Sequence, residues 1–274
     1  TCLMCHAPTT LLTKDFKRNL SITQEGITCD FCHSLRGVDL EAEIPFDLDV
    51  GFTKRGPLEN PAVAPHQTAH SSLHTSALLC ASCHQYKNQH GVEVLSTYSE
   101  WRAGPYPSRQ VECQGCHMEI YQAKLVAGQD TDEVSRNFIN LHEVPGGHSL
   151  SQLQRAVDLE IADVRIVRGQ TVVDVEVTNT AAGHKVPTGF SNRRLRLEMR
   201  IPAGRRIHRQ EQVYERVLTD AMGLPILSIG RLITDATGVK SDNRIEPGET
   251  RNKRFLFPLV KAGTTIEARL IYEV

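Results

Sequence analysis

From residue 157 onward apolar and polar positions alternate, in Val157-Asp158-Leu159-Glu160-Ile161, Val172 to Val177, Leu195-Arg196-Leu197-Glu198-Met199-Arg200-Ile201, Phe255 to Leu259 and Ile266 to Tyr272. A period of two sends one set of side chains to a buried face and the other to water, so these segments predict half-buried strands. Turn signals at Arg168-Gly169, Ala182-Gly183, Ala203-Gly204, Met222-Gly223, Pro247-Gly248 and Ala262-Gly263 divide them. The spacing predicts about seven antiparallel strands in an immunoglobulin-like sandwich. Before residue 150 the texture differs: helices are predicted at His70 to Cys83, Thr97 to Arg102 and Ser149 to Val157, around a turn-rich stretch from Arg55-Gly56-Pro57 to Ala64-Pro65 and a loop at Ala103-Gly104-Pro105-Tyr106-Pro107. Apolar side chains there are too sparse to build a core unaided. The expected fold is a mostly irregular and helical domain over 1–150 and an all-β immunoglobulin-like sandwich over 151–274.

Composition changes this picture little. The 274 residues are 40% hydrophobic and 23% charged, with 31 Lys and Arg against 32 Asp and Glu, so bulk charge gives no ground for a nucleic-acid partner. No window approaches the roughly 18 continuous apolar residues of a membrane span, and Thr1 precedes Cys2 with no room for a leader, which predicts a processed, mature chain. Charge is uneven: residues 1–150 hold 11 basic and 17 acidic residues, and 151–274 hold 20 and 15. Opposite signs favour docking of the two parts, within one chain or between successive chains.

The chemistry lies in the cysteines. All eight fall before residue 120, as Cys2/Cys5, Cys29/Cys32, Cys80/Cys83 and Cys113/Cys116, and each C-x-x-C is followed at once by a histidine: His6, His33, His84 and His117. Two thiols three positions apart can add to the two vinyl groups of a haem while the next imidazole lies under its iron. A redox dithiol, a paired C-x-x-C zinc site or plain disulfides would leave that adjacent histidine a coincidence repeated four times. The chain is therefore expected to carry four covalent haem c groups, which also serve as the core of the first domain. Attachment of this kind takes place outside the cytoplasm, which predicts an exported protein, extracellular or periplasmic.

What fills the sixth iron position decides between electron transfer and small-molecule chemistry. Eight further histidines are available: His66, His70, His74, His90, His142, His148, His184 and His208. Met4 and Met118 sit inside or beside motifs, and Met199 and Met222 lie in the β text, so ligation of every iron by two histidines is favoured. His74 precedes Cys80 on a predicted helix. His142 and His148 flank Pro145-Gly146-Gly147, where backbone can pack on a flat macrocycle, and His184 sits in the turn Gly183-His184-Lys185-Val186-Pro187-Thr188-Gly189. These four are the expected distal ligands, with His66, His70 and His90 in reserve and His208 in solvent among arginines. Tyr98 and Trp101 read as packing residues, and Arg193, Arg194 and Arg196 as either propionate donors or a wet sheet face.

With these motifs the first domain resembles the multihaem cytochromes of the cytochrome c554 type. The likeness runs through Leu79-Cys80-Ala81-Ser82-Cys83-His84-Gln85, Thr97-Tyr98-Ser99-Glu100-Trp101 and Val111-Glu112-Cys113-Gln114-Gly115-Cys116-His117-Met118, then His142-x5-His148 and Asn179 to Gly189, leaving 34–65 and 205–245 unmatched. The resemblance implies distal roles for His142, His148 and His184. It also implies a choice among electron carriers, oxidoreductase subunits and extracellular cytochromes that polymerise into conducting filaments. No C-x-x-C-Lys is present, so the lysine-ligated haem of related nitrite reductases has no counterpart, and an enzyme is not expected. The expected function is electron transfer as a filament subunit that binds other copies head to tail and exchanges electrons with redox partner proteins. The alternatives are a monomeric periplasmic carrier and a reductase of nitrogen or sulfur compounds with one open haem.

Overall fold

In the computed structural model, which describes residues 2–59, 66–123 and 138–274, strands are short in the first half of the chain and long in the second. Residues 60–65 of the turn-rich stretch lie outside the described residues. β1 (Leu35–Val38) pairs antiparallel with β2 (Phe46–Leu48), and β3 (Thr53–Gly56) pairs parallel with β4 (Gln67–His70). Antiparallel pairs also join β5 (Gln85–Lys87) to β6 (Glu93–Ser96) and β7 (Ile120–Tyr121) to β8 (Ile139–Asn140). The long strands follow: β9 (Val157–Val167), β10 (Gln170–Asn179), β11 (Arg194–Ala203), β12 (Arg206–Thr219), β13 (Gly238–Asp242), β14 (Thr250–Pro258) and β15 (Glu267–Glu273).

Two compact units emerge, one of residues 1–83 and 112–144, the other of 84–111 and 145–274. The division falls between Cys83 and His84, inside the third motif. In the first unit the largest apolar grouping is small: Phe31, Leu35 and Phe46 are buried together, the two rings meeting edge to face at 5.0 Å. The threonine before the second motif sets its helix, since the Thr28 hydroxyl accepts from the Phe31 N–H at 3.1 Å as an N-cap.

In the second unit the alternation does what a period of two requires. β9, β10 and β14 form one sheet in the order β14-β10-β9, and the other runs β13-β12-β11-β15. Arg168 and Gly169, both at positive φ, make the tight turn whose twist suits a hairpin between β9 and β10. Val173, Val175 and Val177 from one sheet, Leu195, Leu197, Met199 and Ile201 from the other, and Phe255 and Phe257 pack into a single buried cluster. Each such side chain contributes about 1.5–3 kcal/mol relative to exposure. The segment 84–111 joins this unit through a second cluster, in which Val94 packs with Leu218, Ile226, Leu232 and Ala236, and through the buried Asn88 amide, which donates to the Ala236 carbonyl at 2.7 Å.

The expected fold class is corrected on both counts. The part bearing the motifs is not a helical and irregular core alone: its described residues also carry four small two-stranded sheets, and its longest helix is the eight-residue Ala77–His84. Nor do the long strands make an all-β immunoglobulin-like domain by themselves. Their unit also takes in β5, β6 and the helices Thr97–Ala103, Leu150–Ala156 and Ile229–Asp235, with apolar side chains from 84–111 completing its second cluster.

Candidate functional site

All four C-x-x-C-H motifs are helical, in Cys2–His6, Cys29–His33, Ala77–His84 and Cys113–His117. On a helix positions i, i+3 and i+4 share a face, so one turn presents two thiols and an imidazole side by side. The third and fourth motifs are tied together. The Glu112 carboxylate accepts from the Ala77 N–H at 2.6 Å, and the Gln114 amide donates to the carbonyls of Ser76 at 2.8 Å and His74 at 3.3 Å.

The thiols of different motifs meet. Cys83 is hydrogen-bonded to Cys5 and Cys80 to Cys113, so both thiols of the third motif touch a neighbouring motif. That shared hydrogen bond, then burial and the nearby Cys32, push Cys80 and Cys83 far above the ordinary thiol range. Burial likewise raises Cys32. These three sulfurs are half-buried and held as neutral thiols, while the same hydrogen bonds bring their partners Cys5 and Cys113 below the ordinary thiol range. Among the described residues no three His, Cys, Asp or Glu converge as ligands of a bare metal ion, as a paired C-x-x-C zinc site would need.

The imidazoles are held through their backbone neighbours. His33 Nδ1 lies 2.5 Å from the Arg55 carbonyl oxygen, and His142 Nδ1 lies 2.9 Å from that of Asn140. A carbonyl only accepts, so each ring carries its proton on Nδ1 and keeps its lone pair on Nε2, the tautomer that binds a metal. The two ring centres are 6.3 Å apart, with planes 39° from parallel. Two metal–nitrogen bonds of about 2 Å, plus the reach from each nitrogen to its ring centre, separate trans imidazoles by about 6 Å.

His74 is different. It is buried on a 3₁₀ turn, Ser72–Thr75, stacked on His33 at 5.4 Å, and it is Nε2 that faces a carbonyl, that of Cys32, at 3.0 Å. Burial lowers its pKa, the Cys32 hydrogen bond opposes this, and the charges of His33 and Arg55 lower it further, so the ring is kept neutral. His6 opens on a cavity of about 480 Å³ lined by Leu3, Ala7, Lys17, Arg18, Thr23 and Gln24 among others. His117 lies half-buried on its motif helix in the first unit. His84, His148 and His184 lie in the second unit, His148 exposed and His184 with Nδ1 on the Lys185 carbonyl at 2.9 Å. The turn bearing His184 is clamped, since Asn179 donates to the His184 carbonyl at 2.9 Å and Thr188 to Glu100 at 2.7 Å.

Comparison with known proteins bears on this arrangement. No family model and no curated protein matches the chain. A solved structure does, the penta-heme cytochrome c552 from Thermochromatium tepidum, with a TM-score of 0.78 and 22% identity over all of this chain and 76% of that one. The chain shares that cytochrome's fold. The neighbour's name gives it five haems, whereas this sequence has four motifs.

The residues present fit the group the motifs call for: paired thiols and an imidazole on one helical face, two imidazoles with ring centres 6.3 Å apart, and a buried ring nitrogen of His74 with no protein partner. The arginine-rich strand reads more plainly. Arg194 and Arg196 both reach Glu273, and Arg196, Arg200 and Arg209 surround Glu198, so these side chains are engaged on the sheet face. Sequence reasoning missed Arg55, Asn140 and Gln114, which act through backbone carbonyls or upon them. The one available signal was Gln114 inside the fourth motif.

Proposed function

We propose that the chain is an exported electron-transfer protein holding four haem c groups on Cys2/Cys5, Cys29/Cys32, Cys80/Cys83 and Cys113/Cys116, with His6, His33, His84 and His117 as proximal ligands. The observation that carries this reading is the His33 and His142 pair, two imidazoles with ring centres 6.3 Å apart and each with Nδ1 on a backbone carbonyl, which leaves Nε2 free to ligate. A ligand pair closes an iron to substrate and keeps its geometry the same in both oxidation states, which suits electron transfer rather than catalysis. His74, His148 and His184 complete the distal set. Bound haem supplies a one-electron iron couple. The protein's part is to hold such groups at fixed, short separations, and Cys80 and Cys83 do so by touching Cys113 and Cys5, which puts the third motif at the junction of the first and fourth.

Spectroelectrochemical titration of the purified holoprotein tests this. The expected result is four one-electron events with low-spin spectra in both oxidation states; a chain that takes up no electrons, or high-spin signals at the second motif, overturns it.

The cavity at His6 supports a second, finer reading. His6 is the one imidazole among its lining residues, which favours one histidine of that distal set reaching it from another copy of the chain, rather than from its own, in a head-to-tail polymer. Electron microscopy of native material should then show filaments, and dissociated chains should gain one high-spin haem in four; monomers with every haem low-spin contradict it.

A further inference from the structure

Arg55 lies on β3, in the stretch 34–65 that the cytochrome c554 likeness leaves uncovered, and it meets the second motif in two ways. Its carbonyl oxygen accepts from His33 Nδ1 at 2.5 Å, and the backbone of Gly56 beside it runs along the same ring, since a Cβ there would stand 3.9 Å from Nδ1. The other meeting is through charge. The Arg55 side chain is only 15% exposed, and its Nη1 is buried with no hydrogen-bond partner among the described residues, while Nη2 donates to Asp49 at 2.5 Å. The Asp49 side chain is 49% exposed. Water therefore screens the carboxylate more than the guanidinium, and the pair leaves a net positive field inside the unit.

Carbonyl and guanidinium belong to one residue, so covalent reach keeps the cation within about 10 Å of the His33 ring. It also acts on His74, the ring stacked on His33 at 5.4 Å. The neighbouring Lys54 is engaged elsewhere: it pairs with Asp30 of the motif helix and donates to the Ser34 hydroxyl at 3.4 Å, which anchors β3 against that helix. Resting on the haem reading above, we propose that Arg55 is a positioning residue for the haem on Cys29 and Cys32: its carbonyl orients His33, and its guanidinium raises that haem's reduction potential. An electron added to the iron cancels one positive charge near a buried cation, so the cation favours the reduced form. Any residue supplies the carbonyl, whereas the charge belongs to the side chain, and substitution separates the two.

Spectroelectrochemical titration of the full-length holoprotein tests this, with haems counted by intact mass and spin states by low-temperature electron paramagnetic resonance. Arg55→Gln should keep four low-spin haems and lower one of the four midpoint potentials, by about tenfold in that haem's one-electron equilibrium constant, or about 59 mV. Asp49→Asn removes the countercharge and leaves the guanidinium, so it should raise the same midpoint. Arg55→Lys keeps the charge and should bring that midpoint back above the Arg55→Gln value. A merely structural role would disturb the site in one direction, so shifts of the same sign in Arg55→Gln and Asp49→Asn overturn the proposal, as do four unmoved midpoints in Arg55→Gln or no recovery in Arg55→Lys. If Arg55→Gln does not fold, Asp49→Asn at its exposed position carries the test, and an unmoved or lowered midpoint there overturns it. Fewer than four haems in the unsubstituted protein would instead sink the haem reading on which this one rests.

Discussion

The two units are stabilised by different means. In the unit of long strands, thirteen buried residues form one cluster between two sheets, and a buried Arg244 is paired with Glu100 at 2.7 Å and Asp242 at 2.8 Å. In the unit with most of the motif residues, the corresponding cluster has three buried residues, and buried polar atoms of Thr9, Thr23, Arg55, His74 and Gln114 have no partner, against those of Ser191, Asn192 and Arg251 in the larger unit of long strands. The first pattern is that of a chain that folds on its own side chains, the second that of a chain organised around something it binds. On the proposed function, binding and folding are one event in the motif unit and separate events in the other.

The sharpest way to break this contrast is to make the full chain where no haem is attached. Hydrogen exchange should then show residues 2–59 unprotected and the β10, β11 and β12 strands still slow; equal protection of both regions would contradict the comparison. A smaller effect follows from the second unit's own core. Phe255→Ala removes a fully buried ring and should cost about 3–5 kcal/mol in denaturant midpoint analysis, with the spectra of the haems held by the first and second motifs unchanged.

How much of this was legible depends on what carries each element. Val172 to Val177 lies in β10, and Thr97 to Arg102 and Ser149 to Val157 match helices to within a residue or two, because side-chain pattern specifies them. The helix read over His70 to Cys83 breaks at Ser76 into a 3₁₀ turn and the motif helix. β12 went unread because Arg206-Ile207-His208-Arg209-Gln210-Glu211-Gln212 is polar on both faces over its first half. The short sheets of the motif unit are two to four residues long and held by backbone pairing, as between β3 and β4, which leaves no periodicity. At the site the motifs were plain from spacing. The ring-nitrogen assignments were not, since the groups that set them are the backbone carbonyls of Arg55, Asn140 and Cys32, which any residue type could supply.

A subtler prediction sharpens the self-sufficiency of the second unit. Burial pushes Asp242 up, but hydrogen bonds and charge from Arg244, with Lys185, outweigh it and bring the carboxyl down to about 2. A group depressed in the folded state stabilises above its unfolded pKa of about 4 and loses that contribution as pH falls through the folded value. The stability difference between the protein and its Asp242→Asn variant, followed by thermal melts of the β signal, should be constant above about pH 5 and shrink between about pH 4 and 2. A difference that does not change with pH would detach Asp242 from the Arg244 network.

Intact mass spectrometry of the natively matured chain under denaturing, non-reducing conditions, with iron quantified alongside, tests the central claim most directly. The account predicts four haems covalently retained and no free thiol on any of the eight cysteines. A chain without retained haem, in which Cys5 is bonded to Cys83 and Cys80 to Cys113 as disulfides, would contradict it.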